Sequence, residues 1–131
     1  MVELTLPVGE DRVRELSVGD FVELTGLMIT GRDAAHKWLV EEYREEVAPY
    51  LENTVIYHCG PVVSQHPDGR YDFVAAGPTT SIREEPYQSD VICRYGLRGV
   101  IGKGGMGPKT LDGLGRCGAV YLHAIGGAAQ V

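Results

Sequence analysis

Glycine crowds the second half of this chain, and its clusters fix where a fold can turn. Eighteen glycines occur in 131 residues. Runs such as Gly102-Lys103-Gly104-Gly105 and Gly126-Gly127 mark tight turns and places where backbone approaches a ligand or another backbone. The length is that of one domain, residues 1–131, and it allows a modest core without stapling disulfides or a structural metal.

Between the turns the elements are short. Val2 to Leu6 and Phe21 to Thr25 alternate as half-buried strands, with a turn at Val18-Gly19-Asp20. Leu27 to Thr30 is a second apolar run. A helix is expected from Asp33 as N-cap, with Ala35, Leu39, Tyr43 and Val47 in one stripe beside Trp38, and Pro49 marking its end. Thr54 to His58 is a β-rich run. Val62 to Ser64 and Arg70 to Ala76 flank a Gln-His-Pro-Asp-Gly turn and pair as a hairpin. Then follow a helix over Pro86 to Arg94 stopped by Gly96, a strand over Gly99 to Ile101, a helix over Pro108 to Leu114 with Gly115 after it, and a strand over Ala119 to His123. The first half is β-rich and the second alternates helix and strand, which predicts an α/β fold on a mixed sheet.

Three runs place a cation among glycines and hydroxyls: Thr30-Gly31-Arg32-Asp33, Gly77-Pro78-Thr79-Thr80-Ser81-Ile82-Arg83, and Gly102-Lys103-Gly104-Gly105. The net charge is −6, which argues against a nucleic-acid binder. Cations concentrated in an acidic chain point instead to a small anion. Hydroxyls at 79–81 can cap a helix start whose N–H groups and dipole favour an anion. Arg83 can fork onto a carboxylate. Gly104 and Gly105 let N–H groups converge as an anion nest beside Lys103. Plainer readings stand next to these: a capped turn with a surface arginine, and a glycine loop with a solvated lysine. The spacing around Lys103 is not that of a phosphate-binding Walker loop. His36 reads as a packing residue at a helix start, and His58, His66 and His123 carry no signal of their own.

Cys59, Cys93 and Cys117 form no Cys-x2-Cys pair. That argues against an iron–sulfur cluster on these three. They are expected to be buried free thiols. An odd count and the absence of a basic-then-apolar leader predict a reducing, cytoplasmic setting. No apolar run is long enough to span a bilayer.

The runs Thr30-Gly-Arg-Asp-Ala-Ala-His36, Tyr57-His-Cys-Gly-Pro61, Ala76-Gly-Pro-Thr-Thr-Ser81 with Arg83, and Ile101-Gly-Lys-Gly-Gly-Met106 occur in the order and spacing of one family. The chain resembles the β subunit, or C-terminal domain, of class I fumarate hydratases and L-tartrate dehydratases. The resemblance implies a swivelling β/β/α domain and a hydro-lyase that hydrates fumarate to malate reversibly. It implies a [4Fe-4S] cluster ligated by a separate α subunit, none of it by this chain, in an α2β2 assembly with the site at the α–β junction. It implies that Arg32, Arg83 and Lys103 hold the dicarboxylate and that Thr79 is the base for the C3 proton, with Lys103 beside it in the catalytic group.

Two departures follow from the same comparison. Glu84 and Glu85 follow Arg83 where the family has Met first, and a carboxylate there could pair with Arg83 or point to solvent. The family also continues beyond the Gly-Gly-Ala run, so the chain is expected to lack a C-terminal segment. Alternatives are an L-tartrate dehydratase β subunit, a non-catalytic dicarboxylate-binding or docking paralogue, and a phosphate-binding protein using Gly102 to Gly105.

Overall fold

A computed structural model describes residues 1–60, 62–75 and 77–124. The expected turn at 126–131 lies outside them, as do Pro61 and Ala76 of the quoted runs. Among the described residues there are eight strands: β1 (Val2–Thr5), β2 (Val22–Thr25), β3 (Ile29–Gly31), β4 (Val55–His58), β5 (Val62–Gln65), β6 (Tyr71–Ala75), β7 (Gly99–Gly102) and β8 (Val120–His123). Five α-helices accompany them: α1 (Glu10–Arg14), α2 (Asp33–Glu41), α3 (Ala48–Leu51), α4 (Glu85–Tyr95) and α5 (Pro108–Cys117). A 3₁₀ turn at Ser81–Glu84 leads into α4.

The centre is a four-stranded parallel sheet in the order β3-β4-β7-β8. Its strands are short and apolar, as expected where both faces are covered. Successive side chains leave on opposite faces, and the two cores follow that alternation. Ile56 and Val100 join Leu39, Val91, Ile92, Tyr95 and Leu97 on the side of α2 and α4. Val55, with Ile101 and Val120 at its margin, joins Leu4, Leu6, Val8 and Val13 on the other side. That second layer is the parallel pair β1-β2 with α1 between them. The expected β/β/α layering is therefore present. Parallel and antiparallel pairings sit in separate sheets, the antiparallel one being the β5-β6 hairpin.

Three sequence expectations are corrected. The helix begun at Asp33 does not reach Val47. It ends at Glu41, and Glu42 is extended. The reason is Tyr95: its hydroxyl donates to the Leu39 carbonyl over 2.9 Å and accepts from the Arg44 N–H over 2.9 Å. The chain end of α2 is thus satisfied by a side chain from α4. Tyr43 stacks on the Tyr95 ring instead of extending the stripe. Pro49 falls in the first turn of α3, a position that suits its missing N–H. At the other end of α2, Arg32 occupies the N-cap position and Asp33 is the first helical residue. Finally, α5 runs past Gly115 to Cys117 and stops at left-handed Gly118.

The cysteine expectation also changes. Cys93 on α4 and Cys117 at the end of α5 are joined as a disulfide, with Cα atoms 5.4 Å apart. The packing of these two helices brings together residues 24 apart in sequence, which spacing could not disclose. Cys59 is free and buried, as expected. Among the described residues, no helix is long and apolar enough to cross a membrane.

Candidate functional site

In parallel α/β sheets, ligands bind beyond the carboxyl ends of the strands. The register here levels those ends. Gly31 is paired with His58, and Gly102 with His123. Tyr57 is paired with Ile101, so His58 and Gly102 come level one residue on. The next residue along β3, β4 and β7 is Arg32, Cys59 and Lys103 respectively. Two of the three cation-bearing runs thus end on one sheet edge.

The third run is stitched onto that edge. The Thr79 N–H donates to the His58 carbonyl over 2.7 Å, and the Ser81 N–H to the Lys103 carbonyl over 3.0 Å. Thr80 and Lys103 form an isolated parallel bridge between them. Residues 79–81 therefore bond to the ends of both β4 and β7. The expected hydroxyl cap is not made: Thr80 is the N-cap of the 3₁₀ turn without a side-chain bond. Ser81 is fully buried and its hydroxyl is used elsewhere.

Arg32 and Arg83 line a common cleft of about 480 Å³ with Cys59, Gly31 and Asp33. Lys103 stands on the same edge through its backbone but does not line that cleft. The guanidinium of Arg32 packs over Gly60, where an added Cβ would lie 2.7 Å from Cζ. Most cations of the chain are engaged by carboxylates or carbonyls, for example Arg14, Arg44, Arg98 and Arg94. Among the described residues, no hydrogen bond or ion pair engages the side chains of Arg32, Arg83 or Lys103. Arg32 and Arg83, lining one cleft without a hydrogen-bond or ion-pair partner among the described residues, are suited to an anionic ligand.

The two glutamates after Arg83 do neither of the things expected of them. Glu84 is fully buried. Burial, together with the hydrogen bond and charge of Asp33, pushes its carboxyl up to about 8. Asp33 is held below its ordinary value, chiefly by the hydrogen bond from Glu84. As two carboxylates, the pair would have nothing to donate, and both Glu84 oxygens would be orphans. A proton on Glu84 lets one of the two oxygens donate to Asp33. Near neutral pH Glu84 is then uncharged, and only Asp33 faces the two arginines. Glu85 turns the other way. Its carboxylate accepts from the N–H groups of Gly107 and Lys109 and, over 2.5 Å, from the Thr110 hydroxyl. It caps α5, and although burial opposes its charge, these donors hold its carboxyl below the ordinary value.

Behind the cleft lies a set of groups that sequence reasoning passed over. His36 Nδ1 is 2.9 Å from the Arg32 carbonyl, and its Nε2 is 2.9 Å from Gln88 Oε1. His58 Nε2 is 2.5 Å from the same Gln88 atom, and its Nδ1 is 2.8 Å from Ser81 Oγ. The Tyr121 hydroxyl donates to Ser81 Oγ over 3.2 Å and accepts from the Gly105 N–H over 3.3 Å. Gly102 is obligatory beside this set, because an added Cβ would collide with Ser81 Oγ and lie 3.0 Å from His58 Nδ1. Both rings are fully buried. Burial lowers the His36 pKa and lowers that of His58 to about 4, so both are neutral at pH 7. A histidine in an apolar strand gives no sign of such partners. Only the meeting of β4 with the 79–81 segment supplies them.

The Fumarase C-terminus family model matches residues 1–131. The chain belongs to the fumarase C-terminus family. A Geobacillus stearothermophilus protein named "Putative fumarate hydratase class I" is 52% identical over 130 residues, covering 99% of this chain and 25% of that protein. The L(+)-tartrate dehydratase subunit beta of Escherichia coli K12 is 38% identical over 127 residues, 96% of this chain and 62% of the subunit. A Methanocaldococcus jannaschii protein named "Putative L(+)-tartrate dehydratase subunit beta" is 38% identical over 121 residues, 91% of this chain and 62% of that protein. This fumarase C-terminus chain thus spans a quarter to three fifths of these relatives. Its three cation runs are the segments that meet at the sheet edge.

Proposed function

We propose that this chain is the dicarboxylate-holding β component of a hydro-lyase that hydrates fumarate to malate reversibly, at a site shared with an α subunit. One observation carries the reading. Arg32 and Arg83 lie 51 residues apart in the chain, line one cleft at the carboxyl edge of a parallel sheet, and have no hydrogen-bond or ion-pair partner among the described residues.

Each guanidinium can take one carboxylate of the substrate through two parallel hydrogen bonds. Asp33 offsets part of that charge, and protonation of Glu84 keeps a second negative charge away. To Lys103, whose backbone stands on the same edge at the end of β7 although its side chain does not line the cleft, we assign the stabilisation of the negative charge that grows when a proton leaves the carbon next to a carboxylate. One such preorganised donor is worth roughly 3 kcal/mol. Thr79 is the base that takes the C3 proton. Its backbone is held by the bond from its N–H to the His58 carbonyl, although it does not line the cleft of Arg32 and Arg83, and the role requires cations close enough to favour its alkoxide.

The [4Fe-4S] cluster implied by the family does not fit the donor set of this chain. Cys93 and Cys117 are joined to each other. Cys59 stands alone, and no three of His, Cys, Asp and Glu gather among the described residues. We assign the cluster to the α subunit, and the assembly to α2β2. The tartrate reading is supported by the relatives from E. coli and M. jannaschii.

The test is co-expression with a cluster-bearing α partner and anaerobic assay with fumarate and with L-tartrate. Turnover of fumarate that collapses in Arg83→Ala and Lys103→Ala is the expected result. Turnover of tartrate alone would move the assignment to tartrate dehydratase. Full activity after both substitutions would overturn the reading.

A further inference from the structure

The chain of contacts behind the cleft contains a contradiction whose resolution assigns a role to Gln88. The Arg32 carbonyl can only accept, so His36 carries its proton on Nδ1, 2.9 Å away. A neutral ring then has only a lone pair on Nε2. Gln88 must donate to it, yet the amide oxygen is the atom that faces it. A second proton on His36 would make a cation in a fully buried site, which burial opposes. At the same time the Gln88 amide nitrogen, with two hydrogens to give, has no partner in its buried position.

Turning the amide end for end removes the first fault and eases the second. Its oxygen and nitrogen have nearly the same size and shape, so packing does not decide between them. The N–H2 group then lies between two ring nitrogens, at 2.9 Å from His36 and 2.5 Å from His58, with one hydrogen for each. The carbonyl oxygen takes the place where the nitrogen was orphaned, and a buried carbonyl tolerates incomplete pairing better than an N–H. His58, now accepting at Nε2, must carry its proton on Nδ1, aimed at Ser81 Oγ over 2.8 Å.

We propose that Gln88 is the positioning residue of the cation cleft, donating one amide hydrogen to His36 and the other to His58. One buried chain of hydrogen bonds then fixes the Arg32 turn against the Ser81 turn. The chain runs from the Arg32 carbonyl through His36, Gln88 and His58 to Ser81. Tyr121 extends it to the Gly105 N–H in the lysine loop. The three cation-bearing runs are thereby held by one buried network. The inference rests on the proposed function only for what the cleft holds.

The experiment is ring-nitrogen NMR of the 15N-histidine-labelled chain at pH 7, joined to amide hydrogen exchange. His36 and His58 are both expected as neutral rings with the proton on Nδ1. A proton on Nε2 of either ring, alone or in an imidazolium, overturns the proposal. Gln88→Glu places an acceptor-only group between the rings. It should move the His58 proton to Nε2 and speed exchange of the Ser81 amide about tenfold or more, while Ile92 in the core of α4 stays protected. Unchanged Ser81 exchange with a switched ring would also overturn it. The ring measurement on the unaltered chain decides the matter if the variant does not fold. Neither readout uses a dicarboxylate. Failure of malate to bind would therefore count against the proposed function and leave the role of Gln88 standing.

Discussion

The Ser81 N–H donates to the Lys103 carbonyl over 3.0 Å, joining residues from two separate cation-bearing runs at the end of β7. With the bond from the Thr79 N–H to the His58 carbonyl, it places the hydroxyl run between the ends of two strands. Arg32 and Arg83 are exposed and Lys103 is half-buried, while His58 and Ser81, which hold this edge together, are buried. Ligand affinity and fold stability are therefore separable by mutation.

Arg32→Ala and Arg83→Ala should each weaken malate binding by about 1.5–3 kcal/mol, the worth of a charge-assisted hydrogen-bonding group. Neither should shift the melting temperature appreciably, because both side chains are exposed and neither has a hydrogen bond or ion pair among the described residues to lose. Calorimetric titration and thermal melts of the α-bound protein check both halves. A large fall in melting temperature would show that the arginines are structural.

Gly60→Ala tests the placement of Arg32. The added Cβ would meet the guanidinium at 2.7 Å from Cζ and 2.8 Å from Nε. The far end of a long side chain can move aside cheaply, so stability should change by less than about 0.5 kcal/mol. Affinity for the dicarboxylate should nonetheless fall, because Arg32 is displaced from the cleft. Equal affinity in the variant would mean that the position of Arg32 over Gly60 is not the binding one.

Glu84 sets a pH dependence. Its carboxyl is raised from an ordinary 4.5 to about 8, so the folded state binds the proton more tightly than the unfolded. That contribution is complete below about pH 4.5 and is lost as pH rises towards 8. His58 runs the opposite way: lowered from 6.5 to about 4, it adds stability above pH 6.5 that is lost as pH falls towards 4. The two slopes oppose each other between 4.5 and 6.5, leaving Glu84 to dominate from 6.5 to 8. Melting temperature should therefore decline from pH 6.5 to 8, and Glu84→Gln should flatten that decline. A decline that survives in the variant would assign the titration to another group.

Glu85→Ala should destabilise the fold by about 0.5–2 kcal/mol, the loss of a helix cap. It releases the N–H groups of Gly107 and Lys109 and the Thr110 hydroxyl at the start of α5. Denaturant unfolding monitored by far-UV circular dichroism reads the loss. Unchanged stability would show that water replaces the carboxylate without cost.

Local pattern determined much of this protein. The turn at Gly69, the stop at Gly96, the short apolar strands and the α/β class follow from residue order, because turn chemistry and alternation act over a few residues, whereas a mixed sheet was expected and the parallel and antiparallel pairings instead sit in separate sheets. The cations Arg32, Arg83 and Lys103 were legible for the same reason, each sitting in a short run of glycines and hydroxyls. Tertiary structure alone decided the rest. Tyr95 ended α2 from 51 residues downstream of Arg44, and helix packing joined Cys93 to Cys117. Glu84 turned inward to Asp33, and Gln88 met His36 and His58 across 52 and 30 residues. Partnerships of buried polar groups depend on which strand ends and helices come together. A sequence carries no periodicity that reports such a meeting.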